Sequence, residues 1–388
     1  MPSALMAQLM KTNGRFKGPP QRRRRHNLNR FSLFSLSMSR SQEILLYGTV
    51  VYGEDFELMD GYVCLRDGMI HEVGEEKIEA DFEGLICPCF VNAHTHIADS
   101  VFKDPPFMPL KELVGPDGLK HRILTHTSKD MLVEGMKRTL YYMKATGTFA
   151  FADFREGGVD GVNLLLEALK GVSLEAKIMG RPHHSYQEIT DNFWGLGISS
   201  TKDHDFWILR DLVKAARARK QTMAIHAGEV DRDDIFDALS LEPDFLVHVC
   251  KAEKDDLKKI AAQKIPVVIC PRSNLITGIG LPDLKGLIQM GITVGVGTDN
   301  TMLNSPDMFS EMELVCKALL HDDRQVFKMC TLNGARILGI DRRLGSISEG
   351  KEGRVMVIDR ESDNMWGSSN LLASLVRRAR PSDILAVF

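Results

Sequence analysis

Four histidines and two acids stand where short apolar runs of this sequence stop. His94-Thr95-His96 lies at the end of the run from Leu85 to Ile97, and His226-Ala227-Gly228-Glu229 at the end of Thr222–Ala227. His248 comes at the end of Phe245–Val249, and Asp299 just after Thr293–Gly297. Residues two apart on an extended strand point the same way, so both imidazoles of the first pair can reach one spot. Neutral imidazole nitrogens with one carboxylate oxygen, and one position left open for water, are what a catalytic zinc or iron site needs. His94, His96, His226 and Asp299 are therefore the candidate ligands of one divalent metal, zinc or iron. Such a metal lowers the pKa of water toward 7. Glu229 lies three residues beyond His226, where a carboxylic acid can protonate a ring nitrogen or a leaving group. His248 is placed to orient the attacking water from the other side.

For these side chains to meet, their strands must lie in one sheet with their ends aligned. A buried apolar strand recurs through Leu85–Ile97, Thr148–Phe154, Glu175–Pro182, Leu196–Ser200, Thr222–Ala227, Phe245–Val249, Pro266–Cys270 and Thr293–Gly297. Helical patterns fall between them, among others at Lys129–Lys144, Asp205–Lys220, Glu253–Gln263 and Asp283–Met290. Such alternation predicts an α/β fold with a parallel sheet. Eight units over about 260 residues fit a (β/α)8 TIM barrel across residues 85–343, whose site lies at the C-terminal rim of its strands. An open, doubly wound sheet is the competitor, but no Gly-rich phosphate loop follows the first strand.

The flanks read differently. Strand patterns at Ile44–Val51, Tyr62–Arg66 and Met69–Val73, with Asp67-Gly68 as a hairpin turn, are matched at the far end by Gly353–Asp359. A few strands at each end are unstable alone, so residues 43–84 and 344–388 are expected to pair into one small β-sandwich domain. Residues 1–40 form a basic, disordered extension with nine Lys/Arg and no acid. A transit peptide or a nucleic-acid arm fits that composition. The plainer expectation is an extension without structural role, with Met38 as the true start.

Subtracting that extension from 49 basic and 52 acidic residues leaves 40 against 52, a body at −12. Phosphate backbones want the opposite sign, so a small-molecule substrate is expected rather than nucleic acid. No apolar run reaches the roughly 18 residues of a membrane span, so no membrane partner is expected. Seven scattered cysteines do not make a disulfide framework, and a cytoplasmic location is the default. Cys87-Pro88-Cys89 resembles half of a metal knuckle but has no second pair. A homo-oligomer is left open.

The motif set His94-Thr-His96, His226-Ala-Gly-Glu229, His248 and Gly297-Thr-Asp299 resembles the amidohydrolase superfamily. The His-Ala-Gly-Glu stretch, with Cys270-Pro271-Arg272-Ser273-Asn274-Leu275-Ile276-Thr277-Gly278, is similar to the adenosine deaminase branch. The flanks, Gly48-Thr-Val, Leu344-Gly-Ser-Ile and Gly350-Lys-Glu-Gly-Arg354, look instead like the cytosine/guanine deaminase and chlorohydrolase-related group. The likeness spans about residues 43–388. It implies His94, His96, His226 and Asp299 as ligands, Glu229 as proton shuttle, His248 as positioner of water and Asp299 as first base. Water would add to an amidine carbon and ammonia would leave. Two positions depart from the pattern. Cys89 stands where glycine is usual, and Lys202 lies near the place of the bridging lysine of binuclear members.

Substrate contacts are sought in the loops after the early strands: Asp99, Glu156, Arg181, His183 and Asn300, with Asp153, Arg155, His184 and Ser273 beside them. Asp99 could reach a sugar hydroxyl or simply cap a turn. The leading reading is a mononuclear zinc deaminase of an amino-substituted heteroaromatic ring, of purine, pyrimidine or pterin type. Hydrolysis of a cyclic amide or chloro-substituted ring on the same metal is the second reading, and a non-catalytic scaffold the third.

Overall fold

The computed structural model describes residues 43–115, 117–182 and 189–388; His183 and His184 lie outside them. The first strands follow from β-branched and aromatic residues punctuated by tight turns. Strand β1 (Glu43–Tyr52) pairs antiparallel with β2 (Glu57–Arg66), which pairs with β3 (Met69–Gly74). Asp67 and Gly68 join β2 to β3 with φ of 51° and 77°, the double positive φ that a two-residue hairpin of matching twist requires. Strand β4 (Phe82–Pro88) lies parallel to β1, and the chain's far end adds β14 (Val355–Ile358) and β15 (Ile384–Val387). Leu46, Val50, Val63, Ile70, Ile86, Ile347, Val355 and Val357 form the core under this sheet, so both flanks bury one another's apolar face. The flanks do pair as expected. They make one six-stranded sheet in the order β15-β14-β4-β1-β2-β3, not the expected sandwich. β15 is too short to stand out in the sequence.

The apolar run Leu85–Ile97 is two strands. Pro88 offers no N–H to the ladder, and the next amide, of Cys89, donates to Arg354 O at 3.0 Å in the small sheet. From Phe90 the chain joins the second sheet, its amide bonded to Gly147 O at 2.8 Å. The crossing from one sheet to the other therefore falls at Cys89 rather than at Leu85. Both strands are buried on both faces, so the hydrophobic pattern carries no mark of the change.

The second sheet runs β5 (Phe90–His96), β6 (Thr148–Arg155), β7 (Glu175–Gly180), β8 (Gly195–Ile198), β9 (Thr222–Ala227), β10 (Phe245–His248), β11 (Val267–Ile269) and β12 (Val294–Val296). Each is parallel to its neighbours in sequence order. A short continuation, β13 (Asp299–Asn300), pairs not with β11 but with β5, Asp299 opposite Thr95 and Asn300 opposite His96. The sheet curls until its last strand meets its first. This is a barrel-like α/β arrangement, and it accounts for the eight expected strands. The anticipated helices are present at Lys129–Ala145, Phe206–Ala218, Lys254–Ala262 and Leu284–Gln289. Three start on side-chain caps from Ser128, Asp205 and Asp283. The fourth starts on a capping box of Glu253 and Asp256.

The break between β12 and β13 decides where Asp299 sits. Asn92 bridges it, donating from Nδ2 to Thr298 Oγ1 at 2.8 Å and accepting from Thr298 N at 3.1 Å. Gly297 sits against β5, and a Cβ there would fall 2.6 Å from His94 Cβ and 2.7 Å from its carbonyl oxygen. These atoms are the backbone and Cβ of His94, so nothing flexible is there to yield. Gly297→Ala is accordingly expected to cost about 1–3 kcal/mol of stability in denaturant unfolding, the usual range for overpacking.

Candidate active site

Strand ends bring the expected groups together. His94 Nε2 lies 3.3 Å from Asp299 Oδ1 and 3.2 Å from His226 Nε2; His96 Nε2 lies 3.6 Å from the same Asp299 oxygen. A tetrahedron of 2.0–2.1 Å metal–ligand bonds has edges of about 3.3 Å. The spacing of these donors is thus that of ligands around one ion. The donors form overlapping sets, His94 with His96 and Asp299, and His94 with His226 and His248. His248 is the fourth imidazole of the rim.

The protons on the rings support the same reading. His226 Nδ1 donates to Ile198 O at 2.8 Å. His96 Nδ1 faces two acceptors, Phe154 O at 3.0 Å and Glu156 Oε1 at 2.9 Å. In a neutral imidazole the other nitrogen then carries a lone pair. His96 therefore turns a lone pair toward a carboxylate oxygen, an arrangement that needs a cation between them. Burial pushes His94 down, though Asp299 opposes it. Burial, with the Lys120 charge, takes His96 down to about 3, and burial beside His94 holds His226 well below its ordinary value. Burial acts to raise Asp299, but the hydrogen bond of His94, with the other imidazoles around it, holds it well below the carboxylate range. Neutral nitrogens and an ionised carboxylate fit a divalent metal.

Further groups fix this set. Ser273 Oγ donates to Asp299 Oδ2 at 2.5 Å, and Asn300 Nδ2 to Asp299 Oδ1 at 3.0 Å. Phe154 is fully buried among the imidazoles, its ring centroid 4.4 Å from that of His94 and 5.0 Å from that of His226. Asp299 and His248 have φ of 59° and 75°, left-handed values that non-glycine residues adopt at a cost and that cluster at functional sites. Asn274 Nδ2 donates to His248 Nδ1 at 3.1 Å, which leaves His248 Nε2 to carry a proton. That nitrogen faces Glu229 Oε1 at 3.7 Å and Asp299 Oδ2 at 4.0 Å. Burial raises the Glu229 carboxyl, although His248 works against the shift.

Other expected residues have different placements. Glu156 is buried and its carboxylate is taken up by His96, Lys120, Arg155 and Arg181. Asn300 lies between Lys120 and Asp299. Asp99 is buried, accepts from Met302 N at 3.0 Å, and burial pushes it up to about 8. Arg181 reaches Glu156 Oε1 at 3.2 Å with its side chain partly exposed. Asp153 is buried, accepting from Arg155, Thr95 and the amide of Ile97. Lys202 lies on the surface, paired with Asp231 at 2.6 Å, and is no bridging ligand. Cys87 and Cys89 are core residues, and no metal-ligating cluster among the described residues includes them. Sequence reasoning missed Lys120, on helix Leu119–His126, because nothing distinguishes it from neighbouring surface cations. It also assigned no role to Asn274, although this residue stands in the Cys270–Gly278 motif.

Comparison with known proteins gives a consistent picture. Residues 85–388 match the model of the amidohydrolase family. An uncharacterized protein of Methanocaldococcus jannaschii is 36% identical over 371 residues, covering 88% of this chain and 97% of its own. A 5-methylthioadenosine/S-adenosylhomocysteine deaminase of Pyrococcus abyssi is 26% identical, covering 88% of this chain and 91% of its own. Among solved structures, an adenosine deaminase of Xanthomonas campestris with bound zinc superposes with a TM-score of 0.75 at 18% identity. That likeness covers 89% of this chain and 91% of the other.

Elemental mass spectrometry of the purified protein is expected to count about one divalent metal per chain, the capacity of a single four-ligand centre. His226→Ala should lose most of that metal while remaining folded. Full occupancy in the variant would remove His226 from the ligand set.

Proposed function

The chain belongs to the amidohydrolase family, and from that premise we propose that it is a zinc-dependent aminohydrolase that deaminates an amino-substituted heteroaromatic ring. His94, His96, His226 and Asp299 would hold the metal. A purine or its nucleoside is the favoured substrate class, since two of the similar proteins named above are a 5-methylthioadenosine/S-adenosylhomocysteine deaminase and an adenosine deaminase. The zinc of the Xanthomonas structure supports the choice of metal. Seven unpaired cysteines are in keeping with a reducing compartment such as the cytoplasm.

Glu229 carries the proposal. Its side chain is 21% exposed, so it can meet a substrate, while the desolvation that raises its pKa favours the protonated acid. A ligand or a mere cap would need neither property. When bound, the metal supplies the Lewis acidity that makes water a nucleophile at neutral pH. Asp299 Oδ2, held by Ser273, receives the proton that the attacking water gives up. The Nε2–H of His248 faces both carboxylates and holds the water oxygen in line with the ring carbon. Glu229 gives its proton to the ring nitrogen beside that carbon as the carbon–oxygen bond forms. The leaving amino group then takes the proton held by Asp299 and departs as ammonia, while the hydroxyl proton of the adduct returns to Glu229 and a carbonyl is left. One water is consumed for each ammonia released.

Ammonia release is the direct test, with 5′-methylthioadenosine, S-adenosylhomocysteine, adenosine, guanine, cytosine and pterins as substrates. Release from at least one supports the proposal, and release from none, with metal bound, rejects deamination. Glu229→Gln should retain its metal and lose about 100-fold or more in kcat, the weight of a general acid. Near-normal turnover in that variant would leave Glu229 without a part in proton transfer.

A further inference from the structure

Lys120 is a buried cation that the chemistry above does not use. Only 4% of the residue is exposed, and it stands on helix Leu119–His126, in the segment between β5 and β6. An ammonium is driven out of water at this position, so its partners matter. Nζ lies 3.0 Å from Asn300 Oδ1 and 2.5 Å from Glu156 Oε1, with Asp99 Oδ2 farther off at 3.9 Å. The first two are the partners of two different metal-ligand candidates. Asn300 Nδ2 donates to Asp299 Oδ1, and Glu156 Oε1 accepts from His96 Nδ1.

We infer that Lys120 is a positioning residue that joins the supports of Asp299 and His96 and sets the direction of the Asn300 amide. This inference rests on the metal centre proposed above. An ammonium has three donors and no acceptor. Asn300 must therefore turn its oxygen to Lys120 and its NH2 to Asp299. Turned the other way, the amide would set oxygen against carboxylate and NH2 against ammonium, unfavourable on both sides. Glu156 is held at the same nitrogen, so the His96 ring and the Asp299 carboxylate are kept in register from one point. Arg155 binds Glu156 through the other oxygen, Oε2, and Arg181 shares Oε1 with Lys120, but among the described residues only Lys120 also bonds to Asn300 Oδ1. Lys120 is the link between the two supports.

Cobalt is the probe, because its visible spectrum reports ligand geometry without turnover. Cobalt-loaded Lys120→Met is expected to show shifted or weakened bands, and kcat about tenfold or more below wild type with KM changed far less. Lys120→Arg keeps donors without acceptors and should restore the spectrum and most of kcat. Asn300→Asp offers only acceptors to Asp299, so it should reproduce the Lys120→Met spectrum with Lys120 intact. It carries the test if Lys120→Met does not fold. A wild-type spectrum in Lys120→Met or in Asn300→Asp overturns the inference, as does an Arg variant as impaired as Met. The spectra need no substrate, so failure to find a deaminase substrate leaves this comparison intact and bears only on the earlier proposal.

Discussion

The structure depends on getting one buried carboxylate to one place. Asp299 is 2% exposed and meets His94, His96, His248, Ser273 and Asn300. A charge so deeply removed from water is tolerable only when it is paired and hydrogen-bonded. The fold supplies this by interrupting its last strand. Residues 294–296 stay on β11, the chain steps across at Gly297 and Thr298, and residues 299–300 land on β5 beside the two histidines. The close approach of Gly297 to His94 and the Asn92–Thr298 bonds are the steric and polar means of that step. The same step that closes the curl of the sheet delivers the oxygen donor to the nitrogen donors.

Around this point the charges are distributed with some economy. Asp153 and Glu156 face Lys120, Arg155 and Arg181, while burial pushes Asp99 up to about 8. The cations gather around Glu156, whose carboxylate stands between Lys120 and the His96 ring. Repulsion between a lysine or arginine and the metal is thereby screened by an intervening carboxylate. On the other side lie His248, Asn274, Ser273 and Glu229, whose carboxyl is pushed up by burial. The supporting half of the site is a largely buried ionic network, and the other half includes the partly exposed Glu229.

This division also governs what was legible in the sequence. His94, His96, His226, His248 and Asp299 could be found because strand ends give them a periodic setting, an apolar run followed at once by a polar residue. Glu229 was found because its spacing from His226 carries it just past the strand. Lys120 lies on a short helix inserted between two strands, and its route to Asn300 crosses the rim in space with no periodicity to mark it. The switch of sheets at Cys89 was invisible for a related reason. Apolar patterning records burial, and both sheets bury that segment equally, whereas the hydrogen bonds that part them at Pro88 leave no trace in composition. The sandwich expected of the flanks failed similarly, since strand patterns predict pairing but not whether one layer or two results.

A metal centre and a substrate pocket therefore have unequal claims on the sequence. The metal imposes distances of about 3.3 Å between donors, which only rigid, neighbouring strands can hold, so its residues recur at fixed places in the βα pattern. A substrate of given ring chemistry is held by whichever loops reach it, and loops accept change at little cost to the fold. Arg181, with one hydrogen bond to Glu156 and its side chain partly exposed, stands at the border between the two regimes. Its backbone is tied to β6, the amide donating to Arg155 O and the carbonyl accepting from Gly158 N. From that anchor its guanidinium lies close enough to act electrostatically on His94, His226 and Glu229. A cation so placed opposes a proton on either imidazole, in keeping with the neutral nitrogens that a metal needs.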